Sequence, residues 1–306
     1  MPMRQKLLAG LAGLAGGWLC LYFRLYRGEE GDFWWALRFA DDLLRGADPY
    51  GFTPSARLVP YPLTVALFGL PLVWLPWLVA AAIFFGLSTG LLAYGALRAG
   101  EGWRLCVMLS APFVTSAVFT QWSPLIMAAA FVPALAPLLA LIKPQVALPV
   151  ALMRRPSAGG IVLALAVLAL SLLLMPSWPL RWLGMLGDFE RMIPLITLPF
   201  GPLLLLAALR WRNERARLLL LMAIMPQRAI YDLVPLWLVP ARPLMAAAMV
   251  VFSWLAFLVL PSPIVQPTWA VPLIYLPALI SLFWPRAAAR PDAPSPAVGI
   301  TPGKLD

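Results

Sequence analysis

Apolar runs close to membrane length recur along this chain, set apart by short polar stretches. The first runs over 7–23, behind Arg4 and Lys6. It has no small-x-small site at its end, so it reads as a retained first transmembrane helix, not a cleaved signal. Residues 61–97 carry no charge. Pro62, Pro71 and Pro76 break their first part, so 61–76 reads as a short membrane-dipping segment and 77–97 as a span. Further spans are predicted at about 105–120, 122–142, 159–175, 196–209, 243–260 and 269–284. The stretch 218–241 reads as a broken hairpin, with two short apolar arms flanking 226–232. The pattern predicts an all-α polytopic membrane protein with short re-entrant segments. One membrane domain covers 1–285, and a Pro/Ala-rich disordered tail covers 286–306. No internal repeat is evident.

The longest polar stretch is 24–60, with six acids and five arginines. Within it, residues 33–45 have the period of an amphipathic helix lying on a membrane surface. Phe33, Leu37, Ala40 and Leu44 share one face, and Arg38, Asp41, Asp42 and Arg45 the other. Asp41 and Asp42 are spaced to pair with Arg45 and Arg38 at i±4. Asp32 stands where an N-cap belongs and Gly46 where a C-terminal glycine belongs.

Composition agrees with the pattern. Hydrophobic residues make up 62% and charged residues 12% of the 306, with a mean hydropathy of +0.86. These values exclude an ordinary soluble domain. The chain has no histidine, which excludes Ser-His-Asp and Cys-His catalysis and imidazole zinc sites. Two cysteines, Cys20 and Cys106, offer no disulfide framework. The net charge of +10 reflects a positive-inside bias rather than nucleic-acid binding, since no basic stripe with interleaved aromatics occurs. With both termini cytoplasmic, the inside segments hold 15 basic and 4 acidic residues and the outside segments 8 and 9. The 24–60 loop is then outside, and Lys143 is assigned to the inside.

Ionisable groups at membrane depth are candidate functional groups, because their desolvation is costly. Three clusters stand out. They are Asp32; Gln121 with Lys143-Pro144-Gln145; and Gln227, Arg228, Tyr231 and Asp232. Asp32 is a helix cap, a general base at the membrane face, or both. Lys143 reads from spacing as a snorkelling anchor or as a phosphate contact. Arg228 and Asp232 form either a self-satisfied i,i+4 pair or an anion site in which Asp232 holds Arg228.

The order of motifs resembles glycosyltransferase family 87, mannosyltransferase-like members of the GT-C superfamily. The residues are Gly31-Asp32-Phe33, Ala47-Asp48-Pro49-Tyr50-Gly51, Tyr61-Pro62-Leu63, Pro71-Leu72 and Leu75-Pro76. Gln121 is similar to the family's G-Q-x-N turn, Lys143-Pro144 to its K-P motif, and Pro226 with Tyr231-Asp232 to its S-P-x-x-x-Y region. Departures are Thr120 where the pattern has glycine, no asparagine after Gln121, Leu63 for the second proline of Y-P-P, and a short Gln121-to-Lys143 interval.

The resemblance implies a GT-C-like helical bundle and an inverting transfer of a hexose, mannose favoured, from a polyprenyl-phosphate sugar. Asp32 would take the proton from an acceptor hydroxyl on a glycan or glycolipid. Arg57, Tyr61, Gln121, Lys143, Arg228, Tyr231 and Asp232 would contact the donor's phosphate or sugar. Lys143 could do so only if 121–143 folds as a re-entrant hairpin. No cofactor and no divalent metal are expected. The partners are the lipid-linked donor, the acceptor and membrane lipid, in a cell (inner) membrane. A lipid-carrier or solute transporter and a non-catalytic scaffold of the same fold are the competing readings.

Overall fold

Helix α1 (Met3–Arg27) runs 25 residues with its charges at the two ends, and Gly28 closes it in the left-handed region at φ +65°. The computed structural model describes residues 2–51, 61–186, 192–259 and 267–284. Among these the regular structure is helical. No β-strand occurs, and Met192 and Gln227 form an isolated antiparallel bridge.

After α1 come α2 (Trp34–Leu44), α3 (Ala66–Gly69) and α4 (Trp77–Arg98), the last starting straight after Pro76. α1 and α4 are long and apolar enough to cross a membrane. They pack antiparallel with glycines facing each other. A methyl group on Gly13 would meet Gly86 O at 3.0 Å, and one on Gly17 would meet Ala82 O at 2.9 Å. Small residues here let the backbones approach, as apolar helices in lipid require. The opposite face of α1 (Leu7, Leu11, Leu14, Trp18) stays exposed.

α2 matches the expected amphipathic helix, but its environment differs. Trp35, Ala36 and Phe39 are buried along with Phe33, Leu37 and Ala40, whereas Leu44 is 51% exposed. The helix packs against the bundle along this face: Gly69 of α3 sits directly against the Ala36 carbonyl, leaving no room for a side chain there. The polar face pairs as expected, with Arg45 Nε 2.8 Å from Asp41 and Arg38 Nε 3.6 Å from Asp42. Gly46, at φ +67°, ends the helix: its N–H bonds Leu43 O at 3.2 Å, while that of Ala47 bonds Asp42 O at 2.8 Å.

Beyond α4 several predicted spans are short helices in series. Residues 105–120 form a 3₁₀ helix (Gly102–Leu109) and α5 (Ala111–Val118), the latter capped by Ser110 Oγ on the Phe113 N–H. Residues 122–142 form α6 (Ser123–Ala129) and α7 (Ala136–Ala140). Three prolines (124, 133 and 137) stand in that interval. A proline lacks the N–H a continuous helix needs and clashes with the preceding turn. The interval folds back on itself. Arg154 Nη1 donates to Ala130 O at its tip (3.2 Å), and Lys143 returns to bond Gln121 at 2.7 Å. This corrects the one-way span and moves Lys143 to the end of the bundle that holds Asp32.

α8 (Pro144–Met153) then leads to Arg154, and α9 (Ala158–Leu174) leads back. α10 (Trp178–Gly184) follows at 91° to α9, a bent pair that passes as a third crossing if taken together. Residues 196–209, with Pro199 and Pro202, give a 3₁₀ helix (Gly201–Arg210) in place of an α-helical span. The broken hairpin is present as α11 (Glu214–Ile224) and a 3₁₀ helix (Ile230–Leu238). α12 (Pro243–Val259) is continuous. The last predicted span is a π-helical turn (Val271–Tyr275) running into α13 (Leu276–Phe283). The tail 286–306 lies outside the described residues.

The charges collect at two ends. One end holds Asp32, Gln121, Lys143 and Asp232. The other holds Glu101, Arg104, Arg154 and Glu214.

Candidate functional site

Asp32 sits in the turn between α1 and α2, partly exposed. Its carboxylate does not cap α2, which has no side-chain cap. Instead Oδ2 accepts the Tyr61 hydroxyl at 2.8 Å and Gln121 Nε2 at 2.5 Å. Oδ1 accepts no hydrogen bond from the described residues. A partly exposed carboxylate with one oxygen tied and one available is suited to accept a proton.

The turn carrying Asp32 is pinned at the backbone too. The Asp32 N–H donates to Phe119 O at 2.7 Å. Gly31 lies so close to the next residue that a methyl group would fall 2.5 Å from Thr120 Oγ1. Thr120 itself has φ +49°, a left-handed conformation that a β-branched residue adopts only under strain. Cys20 Sγ lies 3.4 Å from its hydroxyl. The same three-residue turn, 119–121, thus holds Asp32 by main chain and by side chain.

Behind Asp32 the contacts continue. Lys143 Nζ donates to Gln121 Oε1 at 2.7 Å and lies 2.6 Å from Asp232 Oδ1. It also lies 4.8 Å from the centre of the Tyr231 ring. Asp232 Oδ2 accepts the main-chain N–H of Arg228 at 3.2 Å. Arg228 is partly exposed, with Asp32, Tyr61, Tyr231 and Asp232 within electrostatic reach. Gln121 and Asp232 are fully buried and Lys143 is 3% exposed. Tyr61 is held in turn by Tyr50, whose hydroxyl donates to Tyr61 O at 2.9 Å.

Under this layer lies an aromatic floor. Phe33 stacks on Phe84 at 4.0 Å, and Phe84 and Phe68 pack on Trp122 at 4.7 and 5.3 Å. Trp122 is fully buried, and its Nε1 has no hydrogen-bond partner among the described residues.

Of the residues singled out from the sequence, Asp32, Tyr61, Gln121, Lys143, Arg228, Tyr231 and Asp232 come together. Arg57 lies outside the described residues. The reading of Lys143 as a snorkelling inside anchor is corrected, because burial beside Asp232 draws it into this cluster. The reading of Arg228 and Asp232 as a self-satisfied pair is corrected as well: one carboxylate oxygen of Asp232 serves Lys143, the other a main-chain N–H.

Sequence reasoning missed Arg24. It is 1% exposed and donates Nη1 to Glu29 O at 2.7 Å, which ties the end of α1 to the Asp32 turn. Its Nε and Nη2 have no hydrogen-bond partner among the described residues. The signal was its spacing: Gly16, Cys20 and Arg24 fall at i, i+4, i+8 on the packed face of α1. No family model, curated protein or solved structure matches the chain.

Proposed function

We propose that this protein is a GT-C-like membrane glycosyltransferase. It moves a hexose, mannose favoured, from a polyprenyl-phosphate donor to an acceptor hydroxyl, with inversion. The supporting observation is the convergence of Asp32, Tyr61, Gln121, Lys143, Tyr231 and Asp232, drawn from five separated motifs, into one connected cluster. A second observation points the same way. Thr120 has the left-handed conformation that suits a glycine, and the family pattern has glycine at that position.

In this reading Asp32 Oδ1 takes the proton from the acceptor hydroxyl. The acceptor oxygen attacks the anomeric carbon, and polyprenyl phosphate leaves from the opposite face. Tyr61 and Gln121 hold Oδ2 and so fix the carboxylate plane. Arg228, partly exposed beside Asp32, is the cation for the charge that develops on the leaving phosphate; Arg57 is a second candidate. General-base catalysis of this kind is worth about 10²–10⁴-fold in rate.

The Asp32 end is assigned to the outer face of a cell (inner) membrane, with both termini cytoplasmic. Once Lys143 is counted with the outer segments of the sequence, those segments carry 9 basic and 9 acidic residues and the inner ones 14 and 4, so the positive-inside bias is kept. The test is transfer from a panel of radiolabelled polyprenyl-phosphate sugars to glycan and glycolipid acceptors in reconstituted membranes. Sugar transfer by the wild type, lost in a folded Asp32→Asn protein, is expected. Proteoliposome transport of the carrier lipid without any sugar transfer would refute the enzyme reading in favour of a transporter.

A further inference from the structure

Lys143 and Gln121 are related in a way that a phosphate-binding role does not explain. A lysine ammonium only donates hydrogen bonds, and an ionised carboxylate only accepts them. The Gln121 amide lies between one of each, with Oε1 at Lys143 and Nε2 at Asp32. Of the two ways to place that amide, only this one satisfies both neighbours. Lys143 is itself held by Asp232 at 2.6 Å and by the Tyr231 ring, and both charges of the pair are buried. A donor phosphate reaching Lys143 would have to compete with Asp232 for a lysine that is only 3% exposed.

We infer that Lys143 is a positioning residue rather than a phosphate contact: anchored by Asp232, it locks the Gln121 amide so that Nε2 faces Asp32. With the lock in place, Asp32 Oδ2 keeps its two donors. Without it, the amide can rotate and present its oxygen to the carboxylate, which then loses its fixed plane. The inference rests on the glycosyltransferase reading for what Asp32 does, but the orientation of Gln121 can be observed without any turnover.

The deciding variant is Lys143→Met with Asp232→Asn, because Lys143→Met alone leaves a buried carboxylate unpaired. Three quantities are read. They are binding of a polyprenyl phosphate without sugar, kcat at saturating donor, and the side-chain amide signal of Gln121 in protein labelled with ¹⁵N-glutamine. Gln121 is one of five glutamines, and its signal is assigned through Gln121→Asn. The expected result is polyprenyl-phosphate binding within twofold of wild type, kcat down at least tenfold, and the Gln121 signal shifted toward the position it takes in Asp32→Asn. Polyprenyl-phosphate binding weakened tenfold or more, with the Gln121 signal unmoved, would make Lys143 a phosphate contact and overturn the assignment. So would a double variant with all three readings unchanged. If the wild type transfers no sugar, the glycosyltransferase reading falls while the amide signal still decides the lock. If the double variant does not fold, the wild type decides: Gln121 amide protons exchanging as fast as those of a free amide would overturn the lock.

Discussion

The two ends of the bundle use the same residue types for different purposes. At the Arg104 end, arginines donate to main-chain carbonyls. Arg104 Nη1 bonds Trp237 O at 2.7 Å and Pro240 O at 3.1 Å, and Arg217 Nη2 bonds Met153 O at 2.7 Å. Arg154 makes two bonds to Glu214, at 2.7 and 2.9 Å, and one to Ala130 O. Arg104 also pairs with Glu101. Those carbonyls lie at or just beyond the ends of short helices, where no further turn supplies a main-chain donor. At the Asp32 end, side chains bond mainly to side chains, and one carboxylate oxygen has no hydrogen bond among the described residues. The comparison teaches how to tell architecture from chemistry in a chain of this kind. A charge that satisfies broken backbone holds the fold; a charge tied only to other side chains, with a site left over, is available for reaction.

Substitution should break this contrast most sharply at its extremes. Asp32→Asn is expected to lower kcat by about 10²–10⁴-fold and to leave the melting temperature within a degree or two. A change at a partly exposed carboxylate that caps no helix strands little. Arg104→Met is expected to do the reverse: it removes the donor to Trp237 O and Pro240 O, leaves Glu101 only the longer contact with Arg215 at 3.9 Å, and should cost about 3–5 kcal/mol, the range for breaking a buried pair. Thermal unfolding in one detergent, run beside the transfer assay, measures both. If Arg104→Met proved as stable as the wild type, the backbone-holding role of the Arg104 end would be wrong.

Gly31→Ala sharpens the comparison at a smaller scale. The new methyl group would sit 2.5 Å from Thr120 Oγ1 and 2.7 Å from Phe119 O, so the turn holding Asp32 must lift away from residues 119–121. Overpacking of this sort costs about 1–3 kcal/mol. The expected signature is a lower kcat with a modest fall in melting temperature, and Gly159→Ala is the control, since its position faces open space. Equal behaviour of the two variants would show that the close approach at Gly31 is not needed.

Much of the Asp32 cluster is legible in the sequence, because an amide or ionisable residue such as Gln121, Lys143 or Asp232 stands out in apolar surroundings. What could not be read was their connection. An interval of about twenty residues between Gln121 and Lys143 has the length of one crossing. Only the positions of its prolines hinted that it turns back. The positive-inside rule then placed Lys143 wrongly. That rule counts charges facing water near the membrane, and Lys143 faces Asp232 instead. Arg24 escaped notice for a related reason. A terminal arginine on an apolar helix usually reaches water, whereas this one lies on the helix face that packs into the bundle. The amphipathic face of α2 was legible in outline; that Leu44 at its last turn stays 51% exposed was not, because period alone cannot say which part of a face the rest of the protein covers.

The smallest expected effect concerns Asp48 and Arg181, where the chemistry end meets solvent. Arg181 makes two bonds to the Asp48 carboxylate, at 2.9 and 2.8 Å, and so ties α10 to the segment that follows α2. The Arg181 hydrogen bonds hold the Asp48 carboxyl below its ordinary pKa. A depressed folded-state pKa means that the pair's contribution is present above the unfolded value, near pH 4, and is lost as pH falls through the lower folded value. Both side chains are about a third or more exposed, so solvent screening limits the pair to roughly 0.2–1 kcal/mol. Asp48→Asn should therefore shift the unfolding midpoint slightly at pH 7, by an amount that shrinks as the pH falls below about 4, and 1 M salt should shrink the difference. The same substitution should leave kcat nearly unchanged, because Asp48 does not touch Asp32 and reaches it only through Tyr50, whose N–H it accepts at 3.0 Å, and Tyr61. A loss of turnover in Asp48→Asn without a loss of stability would extend the reacting region outward to α10 and redraw the boundary between the two kinds of charge.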